Sequence, residues 1–171
     1  MKIDSIDSPR LIIRSFVKED AYRAYKIRND PEMGEYLHDE AKEYVDREYI
    51  KNLEELENDE ECAYLIPISK ETKKRVGTCS FLLTDGGETF DIAYCIHKSL
   101  CNKGYATEIA QALISYARCK GASKVSIIVN QDNMASRRVA EKCSGKVVRE
   151  DTFTKKGSEE IKKTYKYEIK L

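Results

Sequence analysis

The sequence predicts a single α/β (α+β) domain: a mixed, mostly antiparallel twisted sheet of about six to seven strands with helices on both faces. Three observations carry that expectation. Short apolar runs bounded by turn residues recur along the whole chain, without internal repeats or an obvious linker. In the middle, "FDIAYCI" (90–96) leads into a long amphipathic helix pattern and then into "KVSIIVN" (124–130), and a strand–helix–strand order implies a right-handed crossover between locally parallel strands. Hairpin signals before and after that unit imply antiparallel neighbours.

In chain order, "RLIIRSF" (10–16) reads as a strand that begins after Pro9. Asp20 to Asn29 reads as a helix, with Ala21, Ala24, Tyr25 and Ile27 at helical spacing and "NDP" closing it. Residues 41–58 read as a second, highly charged helix whose apolar members Val45, Tyr49, Leu53 and Leu56 form one stripe. Three strands follow: "AYLIPIS" (63–69), "VGTCSFLL" (76–83) and "FDIAYCI" (90–96), with "TDGGE" as the turn between the last two. The helix from about Gly104 to Lys120 buries Ile109, Ala110, Leu113, Ile114 and Ala117, and Gly121 is placed to cap it. After the β-branched strand 124–130 come a short helix at about 134–143, a strand at 146–153, a polar hairpin "TKKGSEEIKK" and a last strand "TYKYEIK".

A length of 171 residues suits one domain, 1–171, with a real hydrophobic core. Lysine plus arginine and aspartate plus glutamate stand at 30 each, so no net field favours nucleic acid or an acidic membrane as partner. No apolar stretch is long enough to cross a bilayer, and no signal-peptide pattern is read at the start, so a cytoplasmic protein is expected. Six cysteines (62, 79, 95, 101, 119, 143) form no C-x-x-C pair, and are expected as small reduced hydrophobes and not as a metal or disulfide framework.

The stretch "CNKGYATEIAQALISYA", from Cys101, places a glycine and a lysine at the mouth of the central helix. It reads either as a turn joining strand to helix or as an anion site, since a helix N-terminus offers unpaired N–H groups and the positive end of its dipole. Further on, "NMASRRVAEK" places Asn133 and Ser136 at a helix start, where both residue types cap on their own account.

Three segments in this order, "SPRLIIRSFVKEDAYRAYKIRNDPEM", "FDIAYCIHKSLCNKGYATEIAQALISYA" and "NMASRRVAEKCSGKVVRED", resemble the GNAT superfamily of acetyl-CoA-dependent N-acetyltransferases. The closest likeness is to the branch of ribosomal-protein N-terminal acetyltransferases, and it covers nearly the whole chain. The resemblance implies that the loop before the central helix holds the coenzyme pyrophosphate on the backbone amides of Asn102, Lys103, Gly104, Tyr105, Ala106 and Thr107. Gly104 and Ala106 occupy the family's glycine and small-residue positions; Cys101 and Asn102 depart from its usual residues, and asparagine tolerates the left-handed backbone such a turn needs. Asn133 is placed by the same resemblance against the pantetheine arm and Ser136 near the thioester sulfur, with Arg138 and Lys142 near phosphates or simply as surface charge.

The resemblance also puts the strand 90–96 beside the acetyl group, so that an N–H around Cys95 or Ile96 polarises the carbonyl. Asp91 stands where some family members carry a glutamate general base and is the first choice for that role, the alternative being a strand-end carboxylate in a salt bridge. His97, whose residue type titrates near neutrality, opens the coenzyme loop. The tyrosine that many relatives use as general acid falls near Ala140 and is absent, which leaves Ser136, a water or no residue to protonate the leaving thiolate. The expected partners are acetyl-CoA as cosubstrate, with no metal, and an amine acceptor, either a protein N-terminus or a small molecule; a homodimer is compatible with the resemblance. A non-catalytic acyl-CoA-binding or regulatory module with the same fold is the alternative.

Overall fold

The computed structural model describes residues 1–37, 47, 51–52, 55, 59–155 and 159–171. Its strands are β1 (Ile6–Asp7), β2 (Leu11–Ser15), β3 (Cys62–Ser69), β4 (Gly77–Thr84), β5 (Thr89–Ile96), β6 (Lys124–Asn130), β7 (Lys146–Thr154) and β8 (Ile161–Lys170). The helices with described bounds are α1 (Ala21–Arg28), α2 (Pro31–Gly34), α3 (Tyr105–Cys119) and α4 (Met134–Lys142). The eight strands form one sheet in the order β1-β2-β3-β4-β5-β6-β8-β7, antiparallel except where β5 meets β6. The expectation of six to seven strands is therefore one short. Ile6–Asp7 pairs with Ile13 and Ile12, and a strand of two residues has no alternation to read. The apolar stripe expected at Val45, Tyr49, Leu53 and Leu56 lies outside the described residues, although Arg47, Lys51, Asn52 and Glu55 are helical.

Side-chain alternation along β3 explains why helices lie on both faces. Ala63 and Leu65 join the core shared with α3 and α4, whereas Tyr64 and Ile66 join a second core with Phe16, Ala21 and Ala24 of the α1 side. On the first face α3 buries Ile109, Ala110, Ala112, Leu113, Ile114 and Ala117, a stripe at helical spacing that ends where Gly121 takes a φ of 83°. At ~1.5–3 kcal/mol for each large side chain, this stripe anchors the helix whose N-terminus faces the site. The turn after β4 is left-handed at Asp85, Gly86 and Gly87, as the "TDGGE" signal implies. At the far edge, β7 is exposed along almost its whole length, and its charged residues Lys146, Arg149, Glu150 and Asp151 suit an unpaired edge.

The second core is fastened by one buried carboxylate. Asp20, 0% exposed, accepts from Arg14 Nη1 at 2.6 Å and Nη2 at 3.1 Å, from Arg75 Nε, and from the Val17 N–H at 3.0 Å. Burial pushes the Asp20 carboxyl up, but the hydrogen bonds from Arg14, Arg75 and Val17 outweigh it and hold the carboxyl below its ordinary value. A folded value below the unfolded one gives stability that is fully present above the unfolded carboxylate range, ~3.9, and is lost as pH falls from there through the folded value. Asp20→Asn should cost about 3 kcal/mol, the low end for breaking a buried pair because both arginines still reach solvent. It should also flatten the acid limb of stability measured by urea unfolding between pH 7 and pH 3.

Candidate functional site

The sheet opens in its middle. β5 and β6 pair in parallel at only three positions, Thr89 with Lys124, Phe90 with Val125 and Asp91 with Ser126. Beyond Asp91, β5 stays with β4 as far as Ile96, and β6 stays with β8 as far as Asn130, so a wedge separates them. The register identifies the groups that face this wedge. The His97 N–H donates to Val76 O on the β4 side, while Glu88 O accepts from Ser123 and Lys124 on the β6 side. Alternation then turns the N–H groups of Tyr94 and Ile96 towards the wedge and that of Cys95 towards β4. Of the two positions expected to polarise a carbonyl, Ile96 is the one so aimed. Gly77, the register partner of Ile96, permits this close pairing of β4 and β5: a Cβ there would lie 2.1 Å from Cys95 O.

β5 runs into the loop that opens α3. His97 caps a short turn over Lys98–Leu100, its Nδ1 accepting from Ser99 N at 3.3 Å, which gives this histidine a structural task. The Cys101 thiol lies against Ile96 O at 3.9 Å and His97 O at 3.8 Å, and burial pushes it up. Asn102 then takes a φ of 59° and Gly104 a φ of 79°, so the asparagine does adopt the left-handed backbone the turn requires. The first helical turn closes with Glu108 N on Gly104 O at 3.1 Å. The N–H groups of residues 102–107 have no hydrogen-bond partner among the described residues, the last three because they belong to a helix's first turn. N–H groups left open in a left-handed turn and a helix start are donors of the kind that can hold an anion. Beside the loop lies an open cavity of about 700 Å³, bounded by Arg10, Gly104, Thr107, Glu108, Gln111 and Lys142 among others.

The start of α4 faces β5 on the helix-covered side. Asn133 caps it, its Oδ1 accepting from Ser136 N at 3.0 Å. Ser136 is not a cap: its hydroxyl reaches Tyr94 Oη at 2.9 Å. Burial pushes the Tyr94 phenol up to about 12. Ala140, near which the family's tyrosine falls, is fully buried, and the tyrosine beside Ser136 comes from β5 instead. The signal was present, since alternation places Tyr94 with Ile92 and Ile96 on the face that α3 and α4 cover. Arg138 is exposed on α4, whereas its neighbour Arg137 turns to the β8 tyrosines and lies over the Tyr165 ring.

Asp91 sits at the last paired position, where the wedge begins. Burial pushes its carboxyl up, with the Ser126 side chain and the Lys166 ammonium pulling the other way. By alternation Asp91 and Cys95 occupy the α1 face, opposite Tyr94. The two expected catalytic residues, Asp91 and Ser136, thus lie on opposite sides of the sheet with the gap between them. Among the described residues, no group of three histidine, cysteine or acidic side chains is placed to hold a metal ion, and no helix is long and apolar enough to cross a membrane.

Comparison with known proteins agrees with this geometry. Residues 10–146 match the acetyltransferase (GNAT) domain. An uncharacterized N-acetyltransferase of Bacillus subtilis, YnaD, is 26% identical over 161 residues, covering 88% of this chain and 86% of its own length. Among solved structures, a GNAT-family acetyltransferase from Bacillus anthracis superposes with a TM-score of 0.82 at 22% identity, over 98% of each chain. The spermidine N-acetyltransferase of Vibrio cholerae, solved with CoA and spermine, gives 0.78 at 16% identity over 94% of this chain and 95% of its own. The acetyl transferase of Salmonella typhimurium that modifies the N-terminal serine of ribosomal protein L7/L12 gives 0.78 at 18% identity, over 98% and 99%. The ribosomal-protein enzymes are thus among the structural neighbours, as the sequence pattern suggested. A family match spanning most of the chain, on a fold that opens between β5 and β6, establishes that this protein belongs to the GNAT acetyltransferase family.

Proposed function

We propose that the protein transfers the acetyl group of acetyl-CoA directly to a primary amine, through the gap where β5 and β6 part. The observation that carries this reading is the joint placement of three features at that gap: the N–H cradle of residues 102–107, the N–H groups of Tyr94 and Ile96, and the Tyr94–Ser136 pair. Acetyl-CoA supplies the activated acyl group. The cradle holds its pyrophosphate, Asn133 lies along its arm, and the Ile96 N–H donates to the carbonyl oxygen as that atom takes up charge.

An alkyl ammonium, pKa ~10.4, must shed a proton before it can attack, whereas a leaving thiol at ~8.5 needs less help. Asp91 takes the amine proton through water on the α1 face, its burial raising it towards the range useful to a base. The C–N bond forms as the C–S bond breaks, and the sulfur receives the Ser136 hydroxyl proton on the other face. Tyr94 keeps its proton at neutral pH and donates to Ser136 Oγ, which leaves the serine hydrogen free to point at the sulfur; the second proton, shed by the nitrogen as the amide forms, returns through water to Ser136 Oγ, so that Tyr94 stays neutral throughout. The acceptor is an amine of either class seen among the neighbours, a protein N-terminus or a small polyamine.

Gly104→Val forces a β-branched residue to φ 79°, with its Cβ 3.5 Å from Arg10 Nη2, and should weaken coenzyme A binding in calorimetry at least tenfold with the fold intact. Unchanged affinity would sink the cradle. Asp91→Asn should lower turnover in a thiol-release assay by ~10²–10⁴-fold, leave coenzyme affinity little changed, and abolish the limb of the rate profile that rises with pH. Near-normal turnover would place the base elsewhere. If Tyr94 and Ser136 form one relay, Tyr94→Phe and Ser136→Ala should each slow turnover, and the double variant should be no slower than the worse single one; additive losses would mean that the two act separately.

A further inference from the structure

The loop that forms the anion cradle is held from outside by a residue far away in sequence. Arg10, in the turn between β1 and β2, makes four contacts with this loop and the first turn of α3. Its Nη1 donates to Lys103 O at 3.0 Å, its Nε donates to Glu108 Oε2 at 2.6 Å, its backbone N–H donates to Glu108 Oε1 at 2.7 Å, and its guanidinium lies over the Tyr105 ring, 4.4 Å from the centroid. The Ser8 hydroxyl completes the Glu108 carboxylate at 2.7 Å.

We infer that Arg10 is a positioning residue for the coenzyme, acting through Lys103 and Glu108 on the pyrophosphate cradle; this rests on the coenzyme site proposed above. Two physical effects combine. Holding the Lys103 carbonyl towards Arg10 turns the peptide that follows, so the Gly104 N–H faces into the cradle and the left-handed Asn102 and Gly104 are kept in place. Four contacts fix the loop before the ligand arrives, and a pre-ordered site does not spend binding energy on ordering.

The second effect is electrostatic. Glu108 lies in the first turn of α3, where a carboxylate is favoured by the helix dipole but opposes any phosphate bound to the same N-terminus. Burial pushes the Glu108 carboxyl up, yet the hydrogen bonds from Ser8 and Arg10 bring it below its ordinary value, so it is ionised at neutral pH. Arg10 cancels that charge at contact distance. Glu108 in turn orients the guanidinium, and the pair leaves the cradle free of a net opposing charge.

The test is calorimetric titration with coenzyme A of wild type, Arg10→Met, Glu108→Gln and the double variant, with thermal melting as the control for folding. Glutamine keeps a carbonyl oxygen for Ser8 and the Arg10 N–H, so Glu108→Gln removes the charge and spares most of the geometry. The expected result is binding weakened about ten- to a hundredfold by Arg10→Met, the range for losing hydrogen bonds to charged groups. Glu108→Gln alone should bind at least as tightly as wild type, and in the Arg10→Met background it should recover at least about threefold. A purely structural role predicts the opposite, since the second substitution would add damage to the first. Wild-type affinity in Arg10→Met, or no recovery in the double variant, overturns the inference. Should Arg10→Met fail to fold, weaker binding by Glu108→Gln alone overturns it and equal or tighter binding supports it. Wild type that does not bind coenzyme A overturns the site itself, a distinct outcome.

Discussion

β5 and β6 share hydrogen bonds at three residue pairs and then separate, and the placement of every site residue follows from that separation. The parting is rigid because each strand keeps its other neighbour: β5 stays paired with β4 through Gly77 and Ile96, and β6 with β8 over all seven of its residues. A frayed strand end would expose its N–H groups to water in no fixed direction. Here they point into a gap between two anchored walls, and such preorganised donors are what acyl transfer requires. In the proposed mechanism the same gap lets groups on opposite faces of one sheet act on a single centre. Asp91 reaches it from the α1 face, and Ser136 with Tyr94 from the face covered by α3 and α4.

The chain is electrically neutral, with 30 basic and 30 acidic residues, so its affinity for a polyanionic coenzyme does not come from a general field. In the proposed site the grip is local and made of main-chain dipoles. The N-terminal hairpin supports it in two directions. On one side Arg14 meets Asp20 and fixes the α1 core, and on the other Arg10 meets Glu108 and fixes the mouth of α3. Removal of either arginine therefore disturbs a different property, stability in the first case and the shape of the loop in the second.

How far the sequence alone could be read depends on how local each feature is. The apolar stripe of α3 was legible, because 3.6-residue spacing specifies it within one segment, and so was the tolerance of Asn102 for the left-handed backbone it adopts. So was the placement of Asp91 on one face with Cys95, which alternation fixes once the strand is recognised, but not that α1 lies on that face. The two-residue β1 was not, since Ile6 and Asp7 belong to the sheet only through partners at Ile13 and Ile12. Nor was the pairing of Tyr94 with Ser136, 42 residues apart, or of Arg10 with Glu108, 98 residues apart. Capping propensity made Asn133 and Ser136 equivalent, and tertiary packing separated them by offering the serine a phenol.

Amide hydrogen exchange with and without coenzyme A tests the central claim most directly, because it reads the wedge and the cradle one N–H at a time. Coenzyme A should slow exchange at residues 102–107 and at Tyr94 and Ile96, while Ala93 and Cys95, already paired with β4, change little. Protection confined to the helix surfaces or to the cavity beside Arg10, with Tyr94, Ile96 and the loop amides unchanged, would contradict the account.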